Sequence, residues 1–135
     1  MKKIWVNGCF DVLHRGHLEL FKYAKSQGDF LIVGIDSDSR VKEKKGNGRP
    51  FNNERDRKFF LECIKFIDEV VIFEDDNNLR TIVNIHNADC IIVGADWEGK
   101  KIIGEDVVKE VKFFKRVGSY STTNILERKW NMFLI

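Results

Sequence analysis

The feature that most constrains this chain is an alternation. Short, almost continuously apolar runs recur along it, separated by longer segments with helical periodicity. The runs IWV (4–6), FLIVGI (30–35), VVIF (70–73), CIIVG (90–94) and VKFF (111–114) read as strands. A strand apolar on both faces has to be covered on both, as in a parallel sheet sandwiched between helices. Between the runs, residues 17–27 gather Leu18, Leu20, Phe21 and Ala24 on one broad face, and Gly28 stands where a helix-ending glycine often does. Residues 54–67 gather Phe59, Phe60, Cys63, Ile64 and Ile67 after an asparagine cap at Asn52 or Asn53. Residues 78–87 repeat the pattern with Leu79, Ile82, Val83 and His86, and residues 122–130 form a last candidate helix. The stretch SDSRVKEKKGNGRPFNN (37–53) reads as a long connection. The resulting order, β-α-β-α-β-α-β-(loop)-β-α, predicts an α/β fold: a single doubly wound Rossmann-like domain over residues 1–135 with a five-stranded parallel sheet.

Composition narrows the function classes. Hydrophobic residues at 43% against 33% charged suit a folded globular domain. A net charge of +2 does not argue for nucleic acid, and the basic residues cluster in one loop without interleaved aromatics, so no nucleic-acid partner is expected. No apolar run is long enough to span a bilayer and MKKIWVNG is not a signal peptide, so no membrane partner and a cytoplasmic location are expected. Cys9, Cys63 and Cys90 form no CxxC pair, which disfavours zinc and suits small buried hydrophobes in a reducing compartment. Cys9 lies near two histidines, but its neighbours Gly8 and Phe10 fit a strand end packed on the core better than a thiol nucleophile.

In doubly wound sheets, ligands bind beyond the carboxyl ends of the strands where strand order reverses. The first strand ends at NGCFDVLHRGHLELF (7–21), which carries His14 and His17 around Arg15-Gly16. On spacing alone the two imidazoles are metal ligands, acid–base groups, anion binders or ordinary surface residues. Their place at a βα turn favours an anion site. Gly16 allows close backbone approach, and a helix starting there adds unpaired N–H groups and the positive end of a dipole. A metal is the second reading, with no third ligand evident. No GxGxxG follows the first strand, which disfavours a dinucleotide cofactor. The 37–53 stretch, with Arg40, Lys42, Lys44, Lys45 and Arg49, follows the second strand and can lie over the same edge.

NGCFDVLHRGH resembles the (T/G)xFDxxHxGH segment of the nucleotidyltransferase superfamily, which includes cytidylyltransferases, pantetheine-phosphate adenylyltransferase and class I aminoacyl-tRNA synthetases. GIDSDSRVKEKKGNGRPFNNERDR, DWEGKKIIGEDVV and GSYSTTNILERK are similar to the adenylyltransferase domain of bacterial ADP-heptose synthase. DWEGK and the late Ser-Thr-Thr are shared with glycerol-3-phosphate cytidylyltransferase. The resemblance implies transfer of a nucleoside monophosphate from ATP or CTP, carried with Mg²⁺, to a sugar or polyol phosphate with release of pyrophosphate. Heptose 1-phosphate adenylyltransferase is the first reading, CDP-glycerol synthesis the second, and a catalytically inactive nucleotide-binding regulator the alternative of another class. It assigns His14, His17 and Lys45 to catalysis on the triphosphate. Nucleotide contacts are implied for Gly8, Cys9, Phe10, Asp11, Gly16, Asp96, Ser121, Thr122 and Thr123, with Asp96 able to hold Mg²⁺ through water rather than by certain direct ligation. Lys44, Arg49, Arg57 and Trp97 are implied acceptor or phosphate contacts, Arg15 is the variable position of the motif, and a homodimer is expected.

Overall fold

The computed structural model of the protein describes residues 1–116. In chain order these form β1 (Lys3–Gly8), α1 (Arg15–Ser26), β2 (Phe30–Asp36), α2 (Asp38–Lys45), α3 (Glu54–Glu62), β3 (Glu69–Phe73), α4 (Asp76–Ile85), β4 (Cys90–Gly94) and β5 (Glu110–Phe114). Two 3₁₀ turns, Ala95–Trp97 and Glu105–Val107, connect β4 to β5. All five strands are parallel, in the order β3-β2-β1-β4-β5. The chain therefore builds outward from β1 in one direction and then resumes on its other side, which makes β1 and β4 the strands flanking the reversal. The helix expected over 122–130 lies outside the described residues.

The apolar runs behave as buried strands because alternate residues enter different layers. Ile4 and Val6 pack with Phe21 and Ala24 of α1 and Leu61 of α3, while Trp5 and Ile91 pack with Leu79 and Val83 of α4. The helices thus cover both faces. Gly28 has another reason than the one its position suggests. The helix closes at Gln27 in an ordinary right-handed conformation, and a Cβ on Gly28 would stand 2.8 Å from both Ile4 Cγ1 and the Lys2 carbonyl oxygen. The glycine lets the chain pass close to β1.

Two elements depart from the sequence pattern. Half of the 37–53 stretch is helical: α2 is capped by Ser37, whose Oγ accepts from Arg40 N at 3.3 Å, and is followed by Gly46 at φ 95°. Only Arg40 and Val41 of α2 are buried, so the helix has no apolar stripe to reveal it. Polar bonds hold it instead. Arg40 Nε donates to Asp36 Oδ1 and Nη2 to Asp76 Oδ1, both at 2.7 Å, with the guanidinium 5.2 Å above the Phe73 ring. The second departure is α3, which ends at Glu62 and buries Arg57 and Leu61. Phe59 and Phe60, expected in the core, are 63% and 44% exposed, and Cys63 is exposed as well. Of the asparagines, Asn53 is the cap, accepting from Asp56 N at 2.9 Å. His86 closes α4, with Nε2 2.7 Å from Glu69 Oε2 and Nδ1 2.9 Å from the Ile82 carbonyl oxygen.

Trp5 is wholly buried and spreads over β2 at Gly34, where an added Cβ would land on indole carbons Cζ2 and Cη2. Neither backbone nor a fully enclosed indole can give way cheaply. Gly34→Ala is expected to destabilise the fold by about 1–3 kcal/mol, read as a lower denaturation midpoint at unchanged slope. The loss should shrink in a Trp5→Leu background.

Candidate active site

Beyond the carboxyl ends of β1 and β4 lies a cleft of about 420 Å³. Its floor is the turn that leaves β1. Gly8 ends the strand in a tight place, where a Cβ would sit 3.0 Å from the Phe10 ring and the ring would have to shift. Phe10 itself has φ 48°, a left-handed conformation that a bulky residue holds only when its surroundings impose it. Here the imposing contact is burial: the ring is 7% exposed and meets Phe21 and His17 edge-on, with centroids 5.0 and 5.5 Å away.

The two histidines open α1. His14 is its N-cap, and its backbone N–H donates to His17 Nδ1 at 3.2 Å, as a glutamate does in a capping box. The rings stack with centroids 3.8 Å apart. Because Nδ1 of His17 accepts, the ring's proton resides on Nε2. Burial pushes the His17 pKa down to about 4, helped by the neighbouring charges of His14, Arg116 and Lys45. His14 is lowered too, by burial and then by Arg116. His17 is thus neutral at pH 7 and a donor through Nε2. The first turn of α1 contains no acidic residue, so the positive end of its dipole is uncompensated.

Two buried charges shape the wall opposite. Asp11 is 2% exposed, and its carboxylate accepts from Phe51 N (2.6 Å), Asn52 N (2.7 Å) and Arg49 Nε (3.3 Å). Asn52 Nδ2 returns a bond to the Asp11 carbonyl oxygen at 2.9 Å. Arg57, wholly buried on α3, donates to the carbonyl oxygens of Asn52 (3.0 Å), Cys9 (3.0 Å) and Asp36 (2.8 Å) and to Asp38 Oδ1 (2.8 Å). This corrects the expectation of a phosphate contact at Arg57: the guanidinium is enclosed and holds the strand ends and the 49–52 turn in place. Lys44 is also not where it was expected. It is absent from the cleft lining, and its charge acts on Asp76 instead.

The structure brings together eleven of the sequence-derived candidates along the cleft: Gly8, Cys9, Phe10, Asp11, His14, Gly16, His17, Lys45, Arg49, Asp96 and Trp97. Cys9 is half-buried, and burial pushes its thiol pKa up, which disfavours a thiolate nucleophile. Trp97 is 50% exposed at the rim, with Lys100 Nζ 5.8 Å from the ring centroid. Ser121, Thr122 and Thr123 lie outside the described residues. The sequence reading missed Arg116 and Asn7, which also line the cleft. Arg116 follows β5 directly, so its distance past a strand end was the available signal. The lining therefore includes His14, His17, Lys45, Arg49 and Arg116, against the carboxylates of Asp11, already bonded, and Asp96.

Known proteins resemble this chain over most of its length. The bifunctional protein HldE of Campylobacter concisus is 44% identical over 127 residues, and that of Helicobacter pylori strain Shi470 is 42% identical over the same length. Each match covers 94% of this chain and 27% of the relative, so the chain spans about a quarter of the curated relatives it matches. The crystal structure of a lipopolysaccharide core biosynthesis protein from Thermoplasma volcanium superposes with a TM-score of 0.70 at 25% identity, over 87% of this chain and 99% of that one. Thermotoga maritima TmcAL, solved with alpha-thio ATP, shares the fold at a TM-score of 0.68 and 13% identity, over 97% of this chain and 52% of that one. The family described as cytidylyltransferase-like matches residues 5–133, and the chain belongs to this family of nucleotidyltransferases.

Proposed function

We propose that the protein transfers a nucleoside monophosphate from a nucleoside triphosphate to a sugar phosphate, most like D-glycero-β-D-manno-heptose 1-phosphate adenylyltransferase. The observation that carries this reading is the cluster of cations and neutral donors at the mouth of β1 and the start of α1. An acceptor phosphate oxygen forms a bond to the α-phosphorus while the bond from that phosphorus to the pyrophosphate oxygen breaks, and the electron pair leaves with pyrophosphate. Charge builds on the departing phosphates, and catalysis is mainly positioning and stabilisation of that charge.

In this reading Nε2–H of neutral His17 and the ring of His14 donate to the triphosphate. Lys45, Arg49 and Arg116 supply charge, and the backbone N–H of Gly16 in the first turn of α1 approaches an oxygen. The donor set fits Mg²⁺ that arrives with the nucleotide. Among the described residues no group of three candidate ligands exists, and both Asp11 oxygens accept from backbone amides. Exposed Asp96 remains for a hydrated ion, and Mg²⁺ typically combines one or two carboxylates with waters and substrate phosphates. When bound, the ion would neutralise triphosphate charge. A single domain, a homodimer and a cytoplasmic location belong to the same reading and are supported by the resemblance. For the membrane, the finding is that no helix among the described residues is long and apolar enough to cross one.

Pyrophosphate release should appear when ATP is paired with heptose 1-phosphate in a grid of ATP, CTP, GTP and UTP against heptose 1-phosphate and glycerol 3-phosphate. Release only with CTP and glycerol 3-phosphate would move the assignment to the second reading, and nucleotide binding without release to a regulator. His17→Ala should lower kcat about a hundred- to a thousandfold, as loss of a transition-state donor does. Activity within a few-fold of the parent would overturn the mechanism. By ¹⁵N NMR, the His17 ring of the free protein should show the Nε2–H tautomer at pH 7 and titrate near pH 4. The unfolded chain takes up that proton first, near 6.5, so stability should fall as pH drops from about 6.5 towards 4 and be fully present above that window. His17→Gln should flatten this part of the profile.

A further inference from the structure

Asn7 lines the cleft and has no role in the chemistry described so far. Its orientation follows from Trp5. The indole Nε1–H is a donor with no acceptor capacity, it belongs to a wholly buried side chain, and it stands 2.9 Å from Asn7 Oδ1. Were the amide reversed, two donors would face each other beside a sealed ring, leaving the indole unsatisfied. Trp5 therefore fixes the carbonyl end of Asn7 inward, and Nδ2, with two N–H groups, is the end left for a ligand. Among the described residues Nδ2 has no partner.

The wall on which this amide stands differs from that of the histidines. Asn7 is two residues from Trp5 and shares its face of the sheet, the face covered by α4, whereas α1 packs on the opposite face. The neighbouring strand on the reversal side is β4, and just beyond it come exposed Asp96 and the half-exposed ring of Trp97. A neutral double donor, a carboxylate acceptor and an aromatic face are suited to hydroxyl groups on a carbon skeleton rather than to phosphate. We infer that Asn7, oriented by Trp5, is a specificity-determining residue whose Nδ2 donates to a sugar hydroxyl. That hydroxyl belongs either to the ribose of the nucleotide or to the acceptor. The inference rests on the nucleotidyltransferase reading of the cleft.

The test uses the full chain, with α,β-methylene-ATP, its 2′-deoxy and 3′-deoxy forms, heptose 1-phosphate and inorganic pyrophosphate as probes. In ¹H–¹⁵N spectra of the unaltered protein, the Asn7 side-chain NH₂ signals should move with a sugar-bearing ligand and stay in place with pyrophosphate. Asn7→Asp keeps an acceptor for Trp5 at the same size and removes the donor, while Asn7→Ala removes the donor without adding charge. Both should raise Kd for the same ligand, about tenfold. If the hydroxyl is on the ribose, one deoxy nucleotide binds the unaltered protein more weakly and neither variant discriminates against it. If it is on the acceptor, nucleotide Kd is unchanged and heptose 1-phosphate Kd rises. NH₂ signals that respond equally to pyrophosphate or to nothing, or an Asn7→Ala variant with both Kd values unchanged, would overturn the inference. A Lys45→Ala/Arg116→Ala variant separates this from failure of the underlying reading, because intact α,β-methylene-ATP binding in that variant removes the triphosphate site itself.

Discussion

The cleft depends on a buried guanidinium. Arg57 is enclosed on α3, yet its donors reach the end of β1 at Cys9, the end of β2 at Asp36, the start of α2 at Asp38 and the turn at Asn52. A buried charge is tolerable only when its hydrogen-bonding capacity is met, and three of its partners are backbone carbonyls. Asp11 is the mirror case: a buried carboxylate at the β1 turn that accepts two backbone N–H groups from the turn at 49–52. The pair closes a ring from β1 to the turn, to α3, to β2 and back. Removing Arg57 would leave three carbonyls without its donors, and removing Asp11 would leave the amides of Phe51 and Asn52 without their acceptor, so the loop carrying Arg49 is anchored by charge rather than by apolar packing.

That anchoring has an electrostatic consequence. With Asp11 engaged by backbone amides, Lys45, Arg116 and the dipole of α1 share a cleft that holds Asp96 as its exposed carboxylate. The low pKa of His17 reports the same field, since burial and nearby cations both oppose a further positive charge there. A neutral imidazole avoids adding to this repulsion and still donates through Nε2. An anion entering the cleft would meet this charge, with Asp96 as the exposed carboxylate among the described lining residues, and a donor already held in orientation by the His14 backbone.

The sheet was legible because its strands are apolar on both faces, which few other folds require, and the HxGH segment was legible because it follows the first of them. What stayed hidden were elements held by polar bonds. Helix α2 has no apolar stripe, and Arg40 with its two carboxylates does the work that leucines do elsewhere. In α3 the rule of apolar periodicity points to Phe59 and Phe60, but the helix buries Arg57 and Leu61, one turn apart, and leaves both rings outside. An arginine in a pattern of phenylalanines gives no sign that it is the buried member. Gly28 does stand just past the end of α1, but the close approach of Lys2 and Ile4 that leaves no room there for a Cβ is not visible in the sequence. Asn7 escaped because it is a lone polar residue at the end of an apolar run, and Arg116 because only the strand order brings the end of β5 to the same cleft as the end of β1.

The reversal of strand order gives the cleft two chemically different walls. On the α1 face stand the imidazoles, adjoined by Lys45 from the end of α2 and suited to phosphate. On the α4 face β1 presents Asn7, and β4 leads to Asp96 and Trp97, a combination suited to a neutral polyol. One strand, β1, supports both: Val6 and Gly8 lie on the side of the first wall, where Phe10 of the following turn also packs, and Trp5 and Asn7 lie on the side of the second. A one-residue slip of β1 against β2 and β4 would turn the indole towards α1 and away from the space that Gly34 leaves for it. Gly34, which makes room for Trp5 on one face, therefore helps to hold the register that keeps the two walls distinct.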